Sequence, residues 1–226
     1  MSLRSPVQLN YHRANRLVTA PAEEPVTAAE LRAYLIEDAT NLPDAEANTL
    51  IEEARQYIED LTGLAFVTQT WRMNIDRWPG RQEAWWDGIR DGAIGALYDI
   101  DRDMAIAVPR FPLQSVSDVD VYDEDSNVSA VTIASVFDVD AYSMPGRISL
   151  KYGATWPVAL RANNAIEITY VAGYGDAADV PAAMKRAIKM LASKMYSERG
   201  DGCSAEDAYS ASGAKSIIEL YRNKRI

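Results

Sequence analysis

The stretch TYVAGYGDAADVPAAMKRAI, residues 169–188, carries a spacing that could bind phosphate. Gly173, Gly175 and Ala178 satisfy the relaxed dinucleotide pattern G-x-G-x-x-A, in which glycines let backbone amides approach a pyrophosphate at a helix N-terminus. Three details oppose that chemistry. Asp176 and Asp179 set carboxylates where the phosphate would sit, Pro181 removes an amide donor at the helix start, and no second strand follows to complete a βαβ crevice. The same residues make sense as a corner. Glycines permit a sharp exit from a strand, and Asp176 or Asp179 caps the helix that Pro181 pre-organises. A nucleotide-binding enzyme using the Gly173/Gly175 turn is therefore the alternative to a structural role.

The remaining reactive residues are sparse. Asp99, Asp101 and Asp103 alternate as the first ligands of a calcium loop do, but Met104 stands where the glycine belongs and Arg110 where the closing glutamate belongs. They read as a solvated acidic strand face. His12 is the single histidine and Cys203 the single cysteine, so no disulfide and no multi-cysteine metal site can form within the chain. Neither a catalytic constellation, a cofactor nor a metal site is expected. Trp71 and Trp156 lie in or beside strands and read as core, whereas Trp85 and Trp86 sit together in a glycine-rich acidic loop. Such a pair suits contact with another subunit or the next protein in an assembly, because interface centres favour tryptophan. The C-terminal KSIIELYRNKRI joins apolar Ile217, Ile218, Leu220 and Tyr221 to basic Arg222, Lys224 and Arg225, ending in Ile226. It fits either a solvated helix end or a tail that docks on an acidic or grooved partner.

Composition restricts the classes further. The 226 residues carry 33 acidic and 23 basic side chains, a net charge of -10, so the surface on balance repels polyanions. The apolar share of 48% and charged share of 25% are those of a globular chain. The apolar runs are shorter than a bilayer requires, so no membrane partner is expected. The charged N-terminus lacks the apolar centre of an export signal, which predicts a start in the host cytoplasm.

The elements that must position these residues follow from periodicity. Residues 1–26 read as an extended N-terminal arm bounded by prolines. Thr27 and Glu30 form a capping box that opens a helix bearing Leu31, Tyr34 and Leu35. Leu50, Ile51, Ala54, Tyr57, Ile58 and Leu61 make the apolar stripe of a second helix, with Gly63 at its C-cap. These two pack as a hairpin. The period then changes to that of strands, Phe66, Thr68 and Thr70 on one face and, after a shift in phase, Trp71, Met73 and Ile75. Further strands are expected over 104–108, 116–122, 131–139, 147–151 and 165–171, with residues 80–103 as a long insertion. Met184, Ile188, Leu191 and Met195 restore the helical period, and a polar segment around Cys203 precedes a last helix over 214–221. The expected fold is α+β: a helical core from 27–63 plus 177–226, and an inserted β subdomain over 64–176 forming an antiparallel sheet or small β-sandwich.

The order of these motifs is more specific than any one of them. EPVTAAELRAYL, LIEEARQYIEDLTGLAFVTQTWRMNIDRWP, PRFPLQSVSDVDVYDEDSN, YGATWPVALRANNAIEITYVAGYGD and VPAAMKRAIKMLASKMYSERG follow one another over residues 24–200. In that order they resemble the head-to-tail connector (adaptor, or head-completion) family of long-tailed bacteriophages and prophage-like particles. The resemblance implies a non-enzymatic virion protein that forms a ring, usually of twelve copies, on the portal protein and presents a platform for stopper or tail proteins. Double-stranded DNA passes through the channel without specific binding. Under this reading Tyr221, Arg222, Lys224, Arg225 and Ile226 dock on the portal, and Trp85 and Trp86 touch a neighbouring subunit or tail component. Another phage morphogenesis protein, a stopper or a tail terminator, is the nearer alternative. The helical hairpin ahead of the strands favours the adaptor.

Overall fold

Thr27 begins the first helix, α1 (Ala28–Leu35), as the capping-box spacing requires. Its hydroxyl accepts the Glu30 amide at 3.2 Å, and the Glu30 carboxylate accepts the Thr27 amide at 2.8 Å. The second helix, α2 (Asp44–Thr62), stops at Gly63, whose φ of 79° lets its amide turn back to the Glu59 carbonyl at 2.8 Å. Removing the first cap is a direct check on this local code: Thr27→Ala should lower unfolding free energy by about 1 kcal/mol, read by denaturant titration.

These helices belong to a computed structural model that describes residues 13–78, 105–198 and 204–221. Its other elements are β1 (Arg13–Thr19), β2 (Gln69–Ile75), β3 (Ile106–Ala107), β4 (Leu113–Tyr122), β5 (Val128–Ala130), α3 (Ile133–Val136), β6 (Phe137–Asp140), β7 (Arg147–Leu150), β8 (Ile166–Ala172), α4 (Ala182–Ser197), α5 (Ala205–Ala211) and α6 (Ala214–Tyr221). The architecture is α+β. Early and late helices close one core, in which Leu31, Ile51 and Ile58 pack with Met184, Ile188, Leu191 and Ile218. Each of these side chains is fully buried and contributes roughly 1.5–3 kcal/mol by leaving water.

The strands form two antiparallel sheets, β1-β2-β8-β4-β5 and β3-β7-β6. Period-2 alternation on β8 sends Ile166, Ile168 and Tyr170 inward, where they meet Met73, Ile75, Val119 and Val121 from the same sheet and Ile106, Ile148 and Phe137 from the other. This second core makes a small sandwich. Trp156 stacks on Trp78 with ring centroids 4.7 Å apart, and both pack against it, as does Trp71.

Three local readings differ from the sequence expectation. Residues 13–19, within the lead-in arm, form β1 and pair with β2 from Arg13↔Ile75 onward. Their alternation is obscured because the outward side, at an edge, mixes Ala14 with Arg16. The β-branched run 131–139 is broken by the helical turn α3, where the Ser135 hydroxyl donates to the Thr132 carbonyl at 2.9 Å. Packing of Ile133 and Val136 on the sandwich overrides strand propensity there. The polar segment after Cys203 contains α5, opened by a Ser204/Asp207 capping box and held by buried Ala208 and Tyr209.

Candidate functional site

Among the described residues, four chain segments cross between the helical core and the sandwich: 20–27, 63–68, 109–113 and 173–180. The crossing explains the phase shift in the sequence. Leu64, Phe66 and Val67 face the helical core while Ala65 faces the sandwich, before β2 becomes regular at Gln69.

A buried polar cluster ties these crossings together. Glu59 stands on the α2 face turned to the sheet, and its Oε1 accepts the Phe66 amide at 2.8 Å and Gln69 Nε2 at 2.8 Å. Its Oε2 accepts Arg55 Nη1 at 2.7 Å, while Arg55 Nε donates to Glu24 at 2.7 Å. Gln69 Oε1 in turn accepts the Trp71 indole N–H at 3.0 Å. Arg110 lies over the Trp71 ring at 4.6 Å, donates to the Glu59 carbonyl at 2.7 Å and pairs with Asp60. Burial pushes the Glu59 carboxyl above the usual carboxylate range, against the opposing pull of Arg55, the Phe66 amide and Gln69. Burial alone would lower Arg55, yet its contacts with Glu24 and Glu59 hold it above its ordinary value. Every strong partner of the carboxylate is used within the fold. The cluster works as a joint that sets the angle between helices and sheets.

The glycine turn completes the same joint, and its Gly173, Tyr174, Asp176 and Ala177 amides are taken up by partners within the chain. Gly173 N–H donates to the Pro112 carbonyl at 2.9 Å and Tyr174 N–H to the Phe66 carbonyl at 3.0 Å. The Asp176 amide donates to the Asp179 carboxylate at 3.0 Å, and the Ala177 amide to Glu23 Oε1 at 2.7 Å. Donors so engaged cannot cradle a phosphate. The capping expectation needs correction too. Asp176 and Asp179 bracket the short 3-10 turn Ala177–Asp179, and α4 starts from Pro181 without a side-chain cap. Pro181 instead supplies its carbonyl to the Met184 and Lys185 amides at 2.8 and 3.2 Å.

Of the sequence-predicted interface residues, Tyr221 closes α6 and packs half-buried against the helical core. Arg222, Lys224, Arg225, Ile226, Trp85 and Trp86 lie outside the described residues, as do Asp99, Asp101, Asp103, His12 and Cys203. Among the described residues no group of three or more His, Cys, Asp or Glu is placed to hold a metal ion. No described helix is long and apolar enough to cross a membrane.

The surface carries signals that sequence reading passed over. Ile36, a β-branched residue at φ 60° behind α1, is 93% exposed, and Tyr142 at the β6–β7 turn is 99% exposed. That turn is rigidly built: Asp140 accepts the Tyr142 and Ser143 amides at 3.0 and 3.1 Å and also Ser143 Oγ at 2.6 Å and Arg147 Nη2 at 2.7 Å. Together, the Ser143 hydroxyl and Arg147 hold the Asp140 carboxyl well below its ordinary range. The SMPG signal marks the turn but not its exposed tyrosine.

No protein-family model matches the chain, and no curated protein does. Solved structures do. Over 94% of this chain and 97% of the other, it superposes on a chain from the neck of an empty GTA particle computed with C6 symmetry, with a TM-score of 0.69 and 21% identity. A chain from the neck of the native GTA particle computed with C12 symmetry gives a TM-score of 0.67 at 22% identity over the same shares, 94% and 97%. A chain from the virion of the native gene transfer agent particle gives 0.66 at 22% identity, covering 94% and 96%. The chain has the fold of these particle proteins. The match is nearly end to end, so the fold is shared across both the helical core and the sandwich.

Proposed function

We propose that this chain is a structural virion protein of the neck, the head-to-tail connector that binds the portal vertex as a ring and joins the DNA-filled head to the tail. The observation that carries the reading is the fold shared with neck proteins of gene transfer agent particles over almost the whole length of both chains. The order of sequence motifs supports the same family independently. Cores on both sides of a braced joint suit a part that transmits load rather than one that opens around a substrate. The portal, stopper or tail proteins and further copies of the chain are its partners, and duplex DNA passes through without being held. A net charge of -10 per copy, multiplied around a ring, suits that passage, because affinity for DNA comes from cations that neutralise phosphates.

The experiment is electron microscopy of the purified protein mixed with the portal protein of the same particle. A coaxial ring on the portal is expected; a protein that never associates with the portal would refute the adaptor role. Since Tyr221 is engaged with the helical core, the docking tail is best tested by removing 222–226 alone. That deletion should reduce portal association at least about ten-fold with unchanged thermal stability, as expected for a short anchor whose loss leaves only the weaker contacts. Undiminished association would reassign the tail.

A further inference from the structure

The two ends of the five-stranded sheet carry opposite charge. At one end, β1 contains Arg13 and Arg16 and no acid, and Arg16 is exposed. At the other, the segment 113–130 that forms β4, its turn and β5 contains Asp118, Asp120, Asp123, Glu124 and Asp125 and no base. Between them the charges are internally matched: Arg72 on β2 pairs with Glu167 on β8 at 3.3 Å. Among the described residues Arg16, Asp118, Glu124 and Asp125 form no ion pair. Four strand spacings separate the ends by roughly 19 Å, about twice the screening length at physiological salt, so neither end neutralises the other within one copy.

Among the described strands both ends are also edges. β1 and β5 are the terminal strands of the sheet, and each turns half its backbone amides and carbonyls away from its single partner. Apolar side chains accompany them in the open: Leu17 at 41% and Val18 at 47% exposure on β1, Val128 at 58% on β5. The β4–β5 turn is held in shape by Asp123, whose carboxylate accepts the Asn127 amide at 2.8 Å and its Nδ2 at 2.9 Å. Glu124 and Asp125 at its tip are left facing outward.

We infer that the β1 edge of one copy abuts the β4–β5 hairpin of the next, the occupant of each edge being a second copy of this chain. The contact uses two different surfaces, so it is head-to-tail and propagates, closing into a ring when the rotation per copy permits. Chains of net charge -10 repel on average, and a basic edge meeting an acidic one selects the single orientation in which they attract. The inference rests on the ring reading above and specifies which surfaces make it.

Charge exchange tests it. One variant carries Arg16→Glu; a second carries Glu124→Lys and Asp125→Lys, leaving the turn-forming Asp123 intact. Sedimentation velocity and negative-stain microscopy follow assembly over a concentration and salt series, with circular dichroism to verify the fold. Each variant alone should self-associate about ten-fold or more weakly than the wild type, an effect that shrinks as salt screens the edges. An equimolar mixture should recover assembly, since each reversed edge then meets an oppositely charged neighbour in alternation. Wild-type rings that form equally from either variant would overturn this contact while leaving the ring intact. A wild type that stays monomeric at millimolar concentration would overturn this contact as a driver of self-association, whereas the ring itself stands or falls on the mixture with the portal protein.

Discussion

Glu59→Ala is expected to lower the unfolding free energy by about 3–5 kcal/mol. The carboxylate is nearly inaccessible, with 6% of its side chain exposed, as is that of Arg55. Truncation leaves the Phe66 amide and Gln69 Nε2 without their acceptor and strips Arg55 of one of two carboxylates. Orphaned buried donors cost the full desolvation of each group rather than the modest net worth of a hydrogen bond. Glu59→Gln keeps one acceptor oxygen, so it should lose about half as much. Asp60→Ala breaks a pair in which the carboxylate is 72% exposed and should stay within about 1 kcal/mol. Denaturant titration at constant m-value distinguishes these cases, and a Glu59→Ala loss below about 1 kcal/mol would remove the joint from the account.

How much of this was legible beforehand depends on the range of the interaction. Local codes read well: the Thr27 capping box, the Gly63 cap and the α2 stripe are set by neighbours within a turn, and each stands where its spacing put it. The α+β organisation read well too, because a change of period from 3.6 to 2 and back marks where helices give way to strands. Non-local pairings did not. β1 is a strand because β2 lies beside it, and nothing within residues 13–19 announces a partner more than fifty positions away. The Glu59 cluster gathers Glu24 and the Phe66 amide from two crossing segments, Arg55 from α2 and Gln69 from β2, and none of these residues stands out when seen singly. α5 is different, since Ser204-x-x-Asp207 is a capping box legible within the polar segment, ahead of the Ala208 and Tyr209 that bury it. The opposed edges of the sheet needed the strand order β1-β2-β8-β4-β5, which no sequence period encodes.

Gly173→Ala is the second large effect, about 2–6 kcal/mol of destabilisation from backbone strain added to overpacking. Gly173 has a φ of 138°, and an alanine Cβ would lie 2.6 Å from the Val67 carbonyl oxygen and 2.8 Å from the Thr68 nitrogen. Those are backbone atoms of the crossing segment, unable to swing aside as a side-chain tip could. Gly175, at φ 137°, would meet the carboxylate of Asp179, which can rotate, so Gly175→Ala should cost less. Gly153, at φ 79° with nothing within 4 Å, should lose only about 1 kcal/mol on the same substitution. The ranking 173, then 175, then 153 separates two origins for one motif. A phosphate-binding turn keeps its glycines so that a ligand can approach, and its alanine variants fold while losing ligand stabilisation. Here the close approach is made by the protein's own chain, so the loss should appear in denaturation, and ATP or NAD should leave the wild-type melting temperature where it is. A stable Gly173→Ala protein, or a wild type whose Tm climbs with nucleotide, would return the turn to the phosphate-binding reading.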